Sequence, residues 1–286
     1  MDLYPPSTWR LIVHDARDGA WNMAADEAIL TAVARADSPP TLRFYRWEPP
    51  CLSLGRAQPA DDVDLAACDA AGITCVRRPT GGRAILHRDE LTYSIALPLD
   101  DPRAAGDILE SYRRLSEGLA EGLRALGVPV ERAAPAKAPA DATPACFETL
   151  AGYEITVGGR KLMGSAQFRT SKALLQHGSL PLCGDLAGIV DFLALPEAER
   201  EALRQRLRAT AITLEQALAR PVSFAEAAQA LAQGLACALH VRLAEADLSP
   251  QEAELARRLR SEKYGDIRWH AARRAEADRH PVGAVP

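Results

Sequence analysis

A cysteine, a lysine fifteen residues beyond it and a histidine in a later strand bring nucleophile, cation and imidazole into one stretch, Cys146 to Leu182. Cys146 follows a Pro/Ala-rich segment, Pro135 to Pro144, and precedes Phe147-Glu148, outside any periodic apolar run. Free cysteines are most often small buried core residues. This position argues instead for a nucleophile, whose reactive form is the thiolate, and a neighbouring ammonium can lower a thiol pKa from about 8.5. Lys161 is the candidate ammonium. Ile155 and Val157 alternate with polar residues up to Gly158-Gly159, and the strand pattern resumes through Arg160 and Leu162. Two glycines between two such runs predict a type I′ hairpin, because both central positions need φ > 0. Val157 then pairs with Arg160, and Lys161 points to the face opposite Leu162. An isolated strand lysine is ordinarily solvated; one fixed on a rigid hairpin can hold a charge beside a reacting carbonyl.

Other residues have chemistry to offer. Arg77-Arg78-Pro79-Thr80-Gly81-Gly82-Arg83 reads either as a hairpin with solvated arginines or as a ligand loop. In the second case Gly81 and Gly82 let backbone N–H groups approach an anion or carbonyl. His87 and His177 can equally be satisfied core histidines, and neither is needed as a base if Lys161 has that task. The cysteines are Cys51, Cys68, Cys75, Cys146, Cys183 and Cys237, with no CxxC pair and no histidine at ligand spacing, which argues against zinc. Scattered cysteines in a large chain with no secretory pattern are expected to be reduced. Cys75 and Cys237 fall in apolar patterns and read as core residues.

Around these residues the patterning places helices and strands. Trp21–Ala36 reads as a helix and Thr41–Trp47 and Cys51–Leu54 as strands. Asp61–Ala71 reads as a short helix, Ile73–Arg77 as a strand, and two more strands lie near Arg83–His87 and Leu91–Leu99. Arg103–Leu126 carries the clearest helix, with Ile108, Tyr112, Leu115, Leu119 and Leu123 at steps of three and four and Gly127 as its stop. Val128–Ala133 suggests a short strand, and the three prolines after it an irregular loop. Leu174–Leu182 reads as a strand with His177 and Ser179 on one face and Gly178, Leu180 and Leu182 on the other. From Asp185 the chain turns mostly helical, with capping-box patterns at Ser223 and Ser249 and a last short strand at Val241–Leu243.

The 286 residues suffice for a sizeable core. Apolar residues make up 48 % and charged ones 25 %, an ordinary globular composition. The net charge of −4 argues against a general nucleic-acid binder. No apolar run is long enough to span a bilayer and the N-terminus lacks a signal pattern, so a cytoplasmic location is expected, with no membrane partner.

With these residues in view, the chain resembles the superfamily of lipoate-protein ligases and octanoyltransferases. The resemblance rests on the arginine–glycine run Arg77 to His87 and on the lysine strand Gly159-Arg160-Lys161-Leu-Met-Gly164-Ser165-Ala166-Gln167. Trp9-Arg10, Asn22-Met-Ala-Ala-Asp26-Glu27 and Arg43-Phe-Tyr-Arg-Trp47 extend it over most of the chain. Cys146-Phe-Glu and Leu-Gln-His177-Gly-Ser are most similar to the LipM-type transferases. The resemblance implies one α/β (α+β) domain over residues 1–286, a mixed β-sheet core with flanking helices like the biotin/lipoate protein ligase catalytic domain. Residues 185–286 would be mostly helical and packed on it.

It also implies a reaction. Cys146 would take an octanoyl group from octanoyl-acyl-carrier-protein and pass it to a lysine of a lipoyl-domain protein such as the glycine-cleavage H protein. Lys161 would lower the thiol pKa and later serve in proton transfer, while Arg78, Gly81, Gly82, Arg83, His87, Gly164, Ser165, Ala166 and His177 would bind substrate. The donor is already activated, so neither ATP, metal nor other cofactor is implied. Burying an eight-carbon chain is worth on the order of 5 kcal/mol at about 0.8 per methylene. Two alternatives stay open: an ATP-dependent lipoate-protein ligase holding an adenylate at Arg78–Arg83, and a catalytically silent acyl-carrier-binding module.

Overall fold

The computed structural model describes residues 4–132, 144–148 and 154–266. The end of the expected strand at Ala133, nearly all of the Pro/Ala-rich loop and the C-terminal expectation beyond residue 266 lie outside them. In chain order the first elements are β1 (Ser7–Val13), α1 (Gly19–Ala34), β2 (Thr41–Tyr45), β3 (Cys51–Leu54), α2 (Leu65–Ala70), β4 (Thr74–Arg77) and β5 (Ile85–His87). Then come β6 (Glu90–Pro98), α3 (Ile108–Ala125), β7 (Glu131–Arg132), β8 (Ile155–Val157), β9 (Arg160–Arg169) and β10 (Ala173–Pro181). The last part holds α4 (Glu197–Thr210), α5 (Leu214–Leu218), α6 (Phe224–Leu239), β11 (Val241–Glu245) and α7 (Pro250–Leu259).

A mixed sheet in the order β11-β1-β2-β6-β10-β9-β8-β7 forms the core, and β4-β3-β5 form a smaller one beside it. β1 runs parallel to both β2 and β11, whereas β2, β6, β10 and β9 pair antiparallel. Side chains alternate across the large sheet. Phe44, Tyr93 and Leu174 pack with Leu115, Leu119 and Leu123 of α3 and Leu231 and Leu235 of α6. On the other face, Tyr45 meets Met23 and Ala28 of α1, while Ile29 and Val33 meet Ala96 and Leu175. The helices α3 and α6 touch backbone to backbone: a Cβ on Gly234 would lie 2.1 Å from the Gly122 nitrogen.

Most expected elements are present, with instructive shifts. The helix expected over Asp61–Ala71 is a 3-10 turn at Ala60–Asp62 followed by α2. It breaks because Val63 bridges to Leu193 and the Asp64 N–H donates to the Phe192 carbonyl at 3.0 Å, so the chain there is drawn into an extended pairing. α3 starts at Ile108 rather than Arg103. Gly106 turns the chain at φ +80°, and Asp107 with Glu110 forms a complete capping box. Ser249 likewise forms a full box with Glu252, whereas Ser223 caps the Glu226 N–H alone. Cys75 is half-buried, but Cys237 is exposed, since α6 turns its glycine and leucine face to α3 and leaves Cys237 outside. No helix among the described residues is long and apolar enough to cross a membrane.

Candidate active site

The hairpin that carries the lysine forms as its glycines dictate. Gly158 and Gly159 have φ +56° and +71°, and Val157 pairs with Arg160. Thr156 then faces Lys161, but Ile155 faces Met163, so β9 bulges at Leu162. Lys161 is 1 % exposed, far from the solvated state of an ordinary strand lysine. Its Nζ donates to Glu154 Oε1 at 2.5 Å and to the Cys146 carbonyl at 3.1 Å, and lies 3.8 Å from Cys146 Sγ. Burial disfavours the ammonium, yet charge on Cys146 and on Glu154 outweighs it and raises the Lys161 pKa. Gly164 makes room for this arm: a Cβ there would sit 3.2 Å from Lys161 Cε and 3.7 Å from Phe147.

Cys146 opens a 3-10 turn, Cys146–Glu148, that is stitched to the glycine loop. The Ala84 N–H donates to the Pro144 carbonyl at 2.9 Å and the Cys146 N–H to the Ala84 carbonyl at 3.0 Å. The backbone of Cys146 is thus held by the strand leading out of Gly81-Gly82, and the hairpin reaches it through Lys161. Within that loop Arg78 is buried and works largely as a brace. It donates to Ser53 O and Oγ, both at 2.7 Å, and to the carbonyls of Gly81 and Arg83, both at 3.0 Å. Burial lowers its pKa, and a charge on Cys146 acts in the opposite sense, which places a second cation within electrostatic reach of the sulfur. Gly55 lets the loop lie close, since a Cβ there would be 1.9 Å from the Gly82 carbonyl oxygen.

These pieces line an apolar cleft that is partly open to solvent. Cys146, Arg78, Gly81, Gly82, His87, Gly164, Ser165, Ala166 and His177 all line it. Arg83 is half-buried and is not among the lining residues, nor is Lys161, which lies behind Cys146 and Gly164. Both histidines are satisfied and buried. His177 Nε2 meets the Thr80 hydroxyl at 2.6 Å and its Nδ1 meets Asp26 at 3.4 Å, while burial lowers its pKa. His87 sits between Ser53 Oγ (2.6 Å) and Glu90 (2.7 Å), and stacks on Trp47 at 3.9 Å.

Several supporting residues escaped the sequence reading. Glu154 is one, although a carboxylate two positions before Thr156 lies on Thr156's face and hence diagonally from Lys161. Asp26, named above only within the motif Asn22–Glu27 and given no role there, is fully buried and receives Arg43 Nη1 and Ser94 Oγ at 2.7 Å and the Tyr45 hydroxyl at 2.9 Å. Burial opposes its ionisation, but the Arg43 guanidinium, helped by His177 and Ser94, lowers its pKa. This network is the floor under His177.

A mixed sheet with a glycine–arginine loop and a buried lysine strand converging on one cleft is the architecture of the lipoate-handling enzymes. The chain superimposes with TM-score 0.77 on a bipartite lipoate protein ligase from Thermoplasma acidophilum, at 27 % identity over 93 % of this chain and 96 % of that one. It superimposes equally, TM-score 0.77, on a lipoate-protein ligase A bound with ATP, at 28 % identity over 92 % and 98 %. The family model of the lipoyl protein ligase A/B catalytic domain matches residues 18–236, and the chain belongs to this family. Its relatives include Octanoyltransferase LipM of Symbiobacterium thermophilum, 44 % identical over 92 % of this chain and 98 % of that protein. Another is Octanoyltransferase LipM of Kyrpidia tusciae, 42 % identical over 92 % and 98 %.

Proposed function

We propose that this chain is an octanoyltransferase of lipoate biosynthesis that works through a covalent octanoyl-Cys146. The observation that carries the reading is the buried Lys161 ammonium 3.8 Å from the sulfur of Cys146, which lines an apolar cleft. The Cys146 thiolate attacks the carbonyl carbon of octanoyl-acyl-carrier-protein. The new C–S bond forms as the carrier's thiolate leaves, and that thiolate takes up the proton released by the Cys146 thiol. The ε-amine of a lysine on a lipoyl-domain protein, such as the glycine-cleavage H protein, then forms the amide as the Cys146 sulfur departs. Lys161 faces the charge that develops on sulfur in both steps. Cys146 and Glu154 raise its pKa; Glu154 still does once Cys146 is acylated, so Lys161 stays charged, and the amine's proton goes to the departing sulfur rather than to a neutral Lys161. The apolar cleft takes the octanoyl chain. His87, His177, Gly164, Ser165 and Ala166 shape its wall, and the Arg78-braced loop places Gly81 and Gly82 beside the carbonyl. We read residues 1–286 as one catalytic domain, since β11 completes the same sheet and α7 packs on α1, and we place it in the cytoplasm, where acyl carriers are charged.

Mixing the protein with octanoyl-carrier-protein, without ATP or magnesium, should add one octanoyl mass that hydroxylamine removes, and Cys146→Ala should lack both adduct and turnover. A stable adduct on that variant, or one mapped to Cys51 or Cys183, removes the assignment. Turnover from octanoate plus ATP, with none from the thioester, makes the protein a ligase.

A further inference from the structure

Cys146 faces the acyl cleft, but its neighbours Ala145 and Phe147 line a second cavity of about 280 Å³, also open to solvent. Ile85 and Ser179 line both hollows, so the two share a wall within one residue of the nucleophile. The lining of the second mixes apolar residues, Ile189, Leu207 and Pro181 among them, with Arg88, Asp89, Glu90 and Asp185. Asp185 is paired with Arg208 at 2.6 Å, so this part of the cavity carries no excess of positive charge. A Cβ placed on Gly188, which lines the cavity, would meet nothing within 4 Å.

We propose that this cavity receives the thiol arm of the donor thioester, a pantetheine-type chain; the inference rests on the transferase reading above. A thioester carries two substituents that diverge from its carbonyl carbon. When the acyl tail fills the apolar cleft and the carbonyl meets Cys146, the sulfur and its arm must leave through different space. As the Cys146–carbon bond forms and the arm's carbon–sulfur bond breaks, the departing thiolate is already directed into the second hollow, carrying the proton released from Cys146. A pantetheine arm, with amides along its length and a gem-dimethyl branch, matches a wide cavity with apolar walls and polar residues among them. A lysine side chain, four methylenes and an amine, would leave most of it empty. A triphosphate would call for clustered cations, and none gather here.

The test fills the cavity from Gly188. Single-turnover acylation of Cys146 is followed by intact mass with two donors, octanoyl-pantetheine and octanoyl-N-acetylcysteamine, which lacks most of the arm. The wild type should favour the full arm in kcat/KM, and Gly188→Phe should cut that preference by roughly tenfold or more. Gly188→Ala, a single methyl in open space, should keep a near-native preference, and Gly188→Leu serves as a smaller plug if the phenylalanine variant does not fold. An unchanged preference in the plugged variant overturns the proposal. So does a variant in which delivery from octanoyl-Cys146 to a lipoyl-domain lysine slows more than acylation, which would give the cavity to the acceptor. If neither thioester nor octanoyl-carrier-protein acylates the wild type, the transferase reading itself fails and the cavity assignment falls with it; acylation by the carrier protein alone, with no preference between the two small donors, overturns only the cavity assignment.

Discussion

The charge on Lys161 is held against burial by Cys146 and by Glu154, the latter 2.5 Å from its Nζ. A lysine whose folded pKa is raised contributes stability that is complete below its ordinary pKa and is lost as pH climbs through the folded value. Glu154→Gln removes the carboxylate and leaves burial and Cys146 to decide the charge, so the alkaline limb of Cys146 acylation should move to lower pH. Leaving the ammonium buried without this partner should also cost about 3–5 kcal/mol near neutral pH, with a deficit that shrinks at strongly alkaline pH. Single-turnover rates and thermal melts against pH check both, and superimposable wild-type and variant profiles would refute the role. Lys161→Arg keeps a charge but brings a wider head group into space that Gly164 had to clear, so it should retain less activity than its charge alone suggests.

At the scale of elements, close backbone approach sets the cleft. Gly55→Ala puts a methyl 1.9 Å from the Gly82 carbonyl, and Gly178→Ala puts one 2.5 Å from the Gly164 carbonyl on the neighbouring strand β9. Both contacts are to backbone, so the loop or the strand pair has to move. Each variant should lose about 1–3 kcal/mol of stability and at least roughly tenfold in transfer rate, because the displaced residues line the site. Gly81→Ala, whose Cβ would meet nothing within 4 Å, is the matched comparison, with little loss of stability expected. The junction of α1, β2, β6 and β10 at Asp26 adds a pH dependence of the opposite sign. Its lowered pKa means stabilisation present above the ordinary aspartate value and lost as pH falls through the folded one. Asp26→Asn should therefore flatten the acid limb of the stability curve, and an unchanged acid limb would mean that the Arg43 pair does not govern it.

At the scale of the whole molecule, β1 and α1 are clamped by the last described elements. Arg10 on β1 binds Glu252 of α7 through two hydrogen bonds of 2.6 Å, and Lys263 and Tyr264 bind Glu27 of α1 at 2.7 and 2.5 Å. Glu27 follows Asp26, so the clamp backs the helix that supports His177. Arg10→Ala leaves Glu252 buried without its cation and should cost about 3–5 kcal/mol, a fall of order 10 °C in Tm. Activity measured well below the new midpoint should fall less than for Glu154→Gln, because the clamp acts on packing far from the sulfur. A Tm within a degree or two of the wild type would show that water replaces the clamp without loss.

What the amino-acid sequence settles by itself is what depends on neighbours along the chain. The turn at Gly158-Gly159, the Val157–Arg160 pair and the Pro250-led start of α7 follow from local backbone preference. The glycine turn at Gly81-Gly82 belongs to the same kind of pattern. Position across the fold was not. The bulge at Leu162, the pairing of Glu154 with Lys161 and the break before α2 depend on partners that only tertiary packing supplies, Phe192 and Leu193 in the last case. Cys237 turned outward because the glycine contact between α3 and α6 sets the rotation of that helix, which an alanine- and leucine-rich stretch leaves undetermined. The same holds at the site: the residue types name the chemistry, but an ammonium in a dry wall beside a thiol exists only once distant strands have excluded water and left the charge a carboxylate to face.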